Sequence, residues 1–152
     1  MYYEMDGQSM LFLIFYLFVI FNFDSMSSTN RSEARDSHIA DYYVTPQTPI
    51  RQFLKKLCEE EGIDLSSQAH YILDPCAGGD ANNDMSYPAV LLDLGADYNK
   101  IITNDIRADS PAKHHQDFLQ ATKKNEYDII ITNPPFAIAQ GIIEKSLELC
   151  KE

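Results

Sequence analysis

The stretch Asp128–Phe136 reads Asp-Ile-Ile-Ile-Thr-Asn-Pro-Pro-Phe. Four β-branched residues, Ile129 to Thr132, stand between a charge and two prolines, the pattern of a short strand buried on both faces. Pro134 and Pro135 end it, because proline lacks the N–H a strand would need. In an open α/β sheet, ligands bind beyond the carboxyl ends of the strands, so the groups that follow would face a substrate. Asn133 offers an amide acceptor and, standing before a proline, is held extended. Pro134 offers a carbonyl without a donor, and Phe136 adds a flat apolar face. Two acceptors and a ring suit a planar substrate bearing an amino group. A turn without chemistry is the competing reading of Pro-Pro alone.

Two further strand ends stand upstream. Tyr71-Ile72-Leu73-Asp74 runs into Pro75-Cys76-Ala77-Gly78-Gly79-Asp80, and Lys100-Ile101-Ile102-Thr103-Asn104 runs into Asp105. Strand, glycine turn and helix in succession let backbone N–H groups approach a nucleotide-like ligand, although a glycine pair by itself is weak. An acid at the end of the next strand is stationed to accept ribose hydroxyls. Asp117-Phe118-Leu119 reads as a third short strand or a turn, with Asp117 near the same pocket.

Helices are expected between these stations. Thr48 before Pro49 suggests a cap, and Ile50, Phe53, Leu54, Leu57 and Cys58 form one stripe ended by Gly62. Ser86 with Pro88 suggests a second start, with Val90, Leu91 and Leu94 buried before Gly95. Ile138, Ile142, Ile143 and Leu147 stripe a third helix, whose other face carries Glu144, Lys145, Glu148 and Lys151.

The chain has 152 residues, room for one domain, and a net charge of −11. That charge excludes a broad basic nucleic-acid footprint; any phosphate-gripping surface is local or on another chain. Cys58, Cys76 and Cys150 lack metal-ligand spacing and read as reduced thiols of a cytoplasmic protein. His114-His115 is joined by no second cluster, so no metal site is expected, and both rings are expected to face solvent. Residues 1–25 differ in kind. Met10 to Phe21 is wholly apolar, shorter than the roughly 20 residues of a spanning helix. Glu4 and Asp6 make its front acidic, unlike a secretory signal. A membrane anchor, a packed helix and sequence upstream of a true start at Met26 all remain open. Residues 26–41 are a polar lead-in, and 42–152 form the domain.

With these motifs in order, the chain resembles the S-adenosylmethionine-dependent adenine-N6 DNA methyltransferases, a class I amino-methyltransferase family, from about Tyr42 to the C-terminus. The stations are Tyr43-Val44-Thr45-Pro46, Asp74–Asp80, Asp105, Asp117-Phe118 and Asn133-Pro134-Pro135-Phe136. The last is the specific one. The resemblance implies an α/β, Rossmann-like fold, here incomplete, with about four parallel strands and flanking helices. It implies S-adenosylmethionine as cofactor and adenine-containing DNA as partner. Thr45 and Pro46 would lie near the cofactor's methionine end, and Asp74, Pro75, Cys76, Ala77, Gly78 and Gly79 would bracket its amino acid part. Asp105 would hold the ribose, and Asp117 with Phe118 would meet the cofactor's adenine. Asn133 and Pro134 would accept from the target amino group, Pro135 would complete the rigid turn, and Phe136 would stack on a base turned out of its helix.

Asp80 departs from the glycine that family members often carry there. The family's sheet also continues past the helix that ends this chain, so an unpaired strand edge and no methyl transfer by this chain alone are expected. Methylation of RNA or of a protein glutamine, a non-catalytic remnant or partner subunit, and a membrane-tethered interaction protein are the competing functions.

Overall fold

In the computed structural model the described residues are 43–122 and 126–150. The apolar stretch 10–23, the lead-in 26–41 and Tyr42 lie outside them. Helix α1 (Gln47–Glu61) is followed by β1 (Ile72–Asp74), α2 (Ser86–Asp93), β2 (Ile101–Thr103), β3 (Ile129–Ile130) and α3 (Ala139–Leu149). Three strands make one parallel sheet in the order β2-β1-β3. Ile72 pairs with Ile101 on one side and Ile129 on the other. The chain is thus mixed α/β with a small open parallel sheet, compatible with an incomplete Rossmann-like fold.

Two apolar layers enclose the sheet, as a sheet buried on both faces requires. Ile72, Ile101, Ile129 and Ile131 pack with Ile50 and Leu54 of α1 and Val90 and Leu91 of α2. Leu73 and Ile130 pack on the opposite side with Phe118, Ile142 and Leu149. The alternation along β1 and β3 is the period-2 reversal of side chains in a strand. Ile131 continues the pairing past β3, its N–H donating to the Leu73 carbonyl at 2.9 Å.

Several local expectations are corrected. Helix α1 begins one residue before Thr48, and Pro46 is its cap residue, with φ −59° and ψ 133°. Pro49 falls in the first turn, where a missing N–H costs little. At the other end Gly62 adopts φ 67°, a left-handed terminator, and its N–H closes on the Cys58 carbonyl. Helix α2 starts at Ser86 itself, capped by Met85 without a side-chain bond. Of the two readings of Asp117-Phe118-Leu119, strand or turn, the turn holds: residues 118–120 form a 3-10 turn, capped by the Asp117 carboxylate, which accepts from Leu119 N–H. Strand-like pairing lies earlier, where Asn104 bridges His114 in parallel beyond the end of β2. Among the described residues the sheet therefore has three strands, extended by that bridge, where about four strands were expected.

The third helix also buries a different stripe: Ala139, Ile142, Ser146 and Leu149 face inward. Leu147 and Ile138 are exposed. Ser146 can be buried because its hydroxyl donates to the Ile142 carbonyl one turn back, at 2.7 Å. At the outer side of β3, Tyr127 bridges Cys150 in parallel. Among the described residues no helix is long and apolar enough to cross a membrane.

Candidate functional site

The strand order puts a topological switch point between β1 and β3: the chain leaves β1 for β2 on one side, then returns to β3 on the other. The crevice outside such a point is where open α/β sheets bind ligands. A cavity of about 290 Å³ opens there. All three strand ends contribute to its wall: Pro75–Gly79 after β1, Asp105–Arg107 after β2, and Asn133 with Pro135 after β3.

The turn after β1 is braced by the loop after β2. Gly78 N–H donates to Asp105 Oδ2 at 2.8 Å, and Arg107 N–H donates to Asp105 Oδ1 at 2.9 Å. In return Arg107 donates to the Gly79 carbonyl at 3.0 Å, and the Ser110 hydroxyl donates to the Gly78 carbonyl. Both glycines take positive φ, 67° and 77°. A Cβ on Gly79 would stand 2.9 Å from Met85 Cγ and 3.0 Å from Pro111, so only glycine fits. Asn104, buried at the end of β2, ties the same region together. Its Nδ2 donates to the Pro75 and Gln116 carbonyls, at 3.1 and 3.0 Å. Asp80 lies off the cavity wall; its carboxylate accepts from the Asn82 and Asn83 N–H groups and closes the following loop on itself.

Asp74 is wholly buried beneath this turn and is not on the cavity wall. One carboxylate oxygen accepts from Cys76 N–H at 3.3 Å, while Oδ2 has no hydrogen-bond partner. Burial pushes its pKa up to about 7, and neighbouring Asp105 adds to the rise, against the pull of the Thr132 hydroxyl and Cys76 N–H. Burial and the two nearby carboxylates likewise hold the Cys76 thiol up at about 12, which leaves it inert. Tyr87, on the wall, is raised by burial and then by Asp74.

On the third strand end, Asn133 lines the cavity and its Nδ2 donates to Thr45 Oγ1 at 3.0 Å. Thr45 is buried and shares the wall, whereas Pro46 does not reach it. Pro134 is buried behind Asn133, and Phe136 stands 69% exposed beyond Pro135. Asp117 and Phe118 complete the far wall. Of the residues singled out in the sequence, Thr45, Pro75, Cys76, Ala77, Gly78, Gly79, Asp105, Asp117, Phe118, Asn133 and Pro135 therefore meet at one cavity. Asp74, Pro46, Pro134 and Phe136 adjoin it without lining it.

Sequence reasoning passed over Ile106 and Arg107 on the same wall, placed Ile138 in the stripe of the third helix, and quoted Tyr43 without giving it a role. Ile106 is half exposed directly after the strand-end acid, and that adjacency was the available signal. The chain matches no known protein-family profile, no curated protein and no solved structure.

Proposed function

We propose that residues 43–150 form the cofactor-binding and catalytic part of an S-adenosylmethionine-dependent methyltransferase acting on the exocyclic amino group of adenine in DNA. The observation that carries this reading is the convergence of the Pro75–Gly79 turn, Asp105 and Asn133 on one cavity at the switch point of a parallel sheet. Its volume lies at the lower end of the range for drug-sized ligands. Its wall combines apolar side chains with the few polar groups such a ligand needs.

The residues fit the cofactor in kind. Asp105 spends one lone pair of each oxygen on Gly78 and Arg107, and each oxygen keeps a second for a ribose hydroxyl. Ile106 and Phe118 offer apolar surface to a purine. When bound, the cofactor's sulfonium supplies the methyl group and the reactivity. The chain's own part is alignment and polar stabilisation. Asn133 Oδ1 and the Pro134 carbonyl accept from an amino group, which draws its lone pair out of conjugation with the ring. Phe136 is exposed and free to stack on an extruded base.

Calorimetric titration of S-adenosylmethionine into the full chain, with S-adenosylhomocysteine in parallel, tests the reading. Saturable one-to-one binding of both is expected, with no methyl transfer by this chain alone and labelled methyl appearing on adenine only when a complementing chain is supplied. A folded chain that takes up neither compound would rule the proposal out.

A further inference from the structure

The bond from Asn133 Nδ2 to Thr45 Oγ1 joins residues 88 positions apart. Each partner is followed directly by a proline, Pro46 and Pro134. A residue before proline is confined to extended backbone, so both ends of the bond hang from stiffened segments. Thr45 is 5% exposed, anchored between the cavity and the start of α1, and Asn133 is half-buried at the end of β3. An asparagine amide rotates over a broad, two-fold well, and its two faces are chemically opposite: one donates, the other accepts. A hydroxyl can accept from the NH₂ or donate to the carbonyl oxygen, and the Thr45 hydroxyl accepts. Among the described residues the hydroxyl of Thr45 is what holds the Asn133 NH₂.

We infer that Thr45 is the positioning residue of this site: by occupying the NH₂ of Asn133 it turns Oδ1 toward the cavity, so the site takes a hydrogen-bond donor and rejects an acceptor at that point. This deepens the methyltransferase reading and rests on it for the identity of the ligand, an amino-purine over a keto-purine. The hydrogen bond itself stands independently of that reading. Without the Thr45 hydroxyl the amide would present its N–H groups to an incoming amino group in part of the population, and donor would face donor.

The test uses the full chain labelled with ¹⁵N-asparagine, the Asn133 side-chain pair being identified by its disappearance in Asn133→Ser. In the wild-type chain the Asn133 amide protons are expected to show an Overhauser contact to the Thr45 methyl and slowed solvent exchange. Thr45→Ser keeps the slow exchange, and Thr45→Val loses it. In a second arm, shifts are followed on adding 2′-deoxyadenosine or 2′-deoxyinosine. The preference for the amino-purine is expected to fall by about fivefold in Thr45→Val and to return in Thr45→Ser, the worth of roughly one hydrogen bond. No Overhauser contact in the wild type, or equal exchange in all three chains, overturns the positioning role whether or not the valine variant folds. A wild-type chain with the contact and the slow exchange but no preference between the nucleosides upholds the positioning and defeats the amino-purine reading of the cavity.

Discussion

Asp105 and Gly78, 27 residues apart, are joined by a 2.8 Å hydrogen bond from the glycine N–H to the carboxylate. Through it the acid at the end of β2 shapes the turn at the end of β1. A residue expected to hold a ligand is thus first a brace for the backbone that would hold the same ligand. Asp105 is 7% exposed, and its loss leaves the part-buried N–H groups of Gly78 and Arg107 without their acceptor.

Asp105→Ala is therefore expected to destabilise the chain by about 1–3 kcal/mol, the worth of hydrogen bonds to a charged acceptor lost at part-buried donors. Binding of S-adenosylhomocysteine should be lost in the same variant. Urea denaturation and calorimetry measure the two effects. An Asp105→Ala chain with wild-type stability would show that the brace carries no weight.

Glycine substitutions separate steric from conformational demand. Gly79→Ala combines φ 77° with a Cβ driven against Met85 and Pro111, whereas Gly62→Ala has φ 67° and nothing within 4 Å. The Gly62 change should cost about 1 kcal/mol, the left-handed penalty alone. The Gly79 change should cost about 2–4 kcal/mol, the same penalty plus overpacking. Chemical denaturation of both variants checks the order, and equal costs would contradict the clash.

Asp74 makes stability depend on pH. Its folded-state pKa stands near 7, above its ordinary value of 3.8, so the folded chain holds this proton more tightly than the unfolded chain. The contribution is fully present below the ordinary value and is lost as pH rises through 7. In full it is on the order of 4 kcal/mol. Asp74→Asn keeps an acceptor for Cys76 N–H and removes the charge. Urea midpoints taken from about pH 5 to about pH 8 should fall for the wild type and stay nearly level for the variant. Parallel profiles would mean that Asp74 does not titrate in this window.

Phe136 is expected to matter for substrate and not for the fold. With 69% of its surface exposed, Phe136→Ala should leave stability within about 0.5 kcal/mol of wild type. Contact with an unpaired adenine should weaken by about 1–3 kcal/mol if the ring stacks on the base. Fluorescence of 2-aminopurine placed in single-stranded DNA reads that contact. Unchanged quenching in the variant would remove Phe136 from the substrate site.

What was legible in the sequence follows physical lines. The ends of β1, β2 and β3 could be located because β-branched runs stop abruptly at charges, glycines and prolines. Those stops are local chemistry. Helix α1 was legible for the same reason: its stripe and Gly62 sit in one short window. The inward face of α3 was not, since Ser146 enters the core by bonding the Ile142 carbonyl, and a hydrophobicity pattern scores such a residue as polar. Asp117-Phe118-Leu119 carries no periodicity that separates strand from turn; residues 118–120 take the turn, and the parallel bridge at His114 rests on a tertiary pairing that no local pattern marks. The loop after β2 carries Arg107 and Ser110. Its grip on Gly78 and Gly79 depends on tertiary approach, which spacing along the chain does not encode.

The central claim is that two strand ends open on one cavity, 75–79 toward the cofactor and 133–136 toward the amino group that receives its methyl. Backbone amide shifts of the ¹⁵N-labelled full chain, followed during titration with S-adenosylhomocysteine, test it most directly. Gly78, Gly79, Ile106 and Asn133 should move together along one saturation curve. Movement of none of them, or of one strand end without the other, would contradict the account.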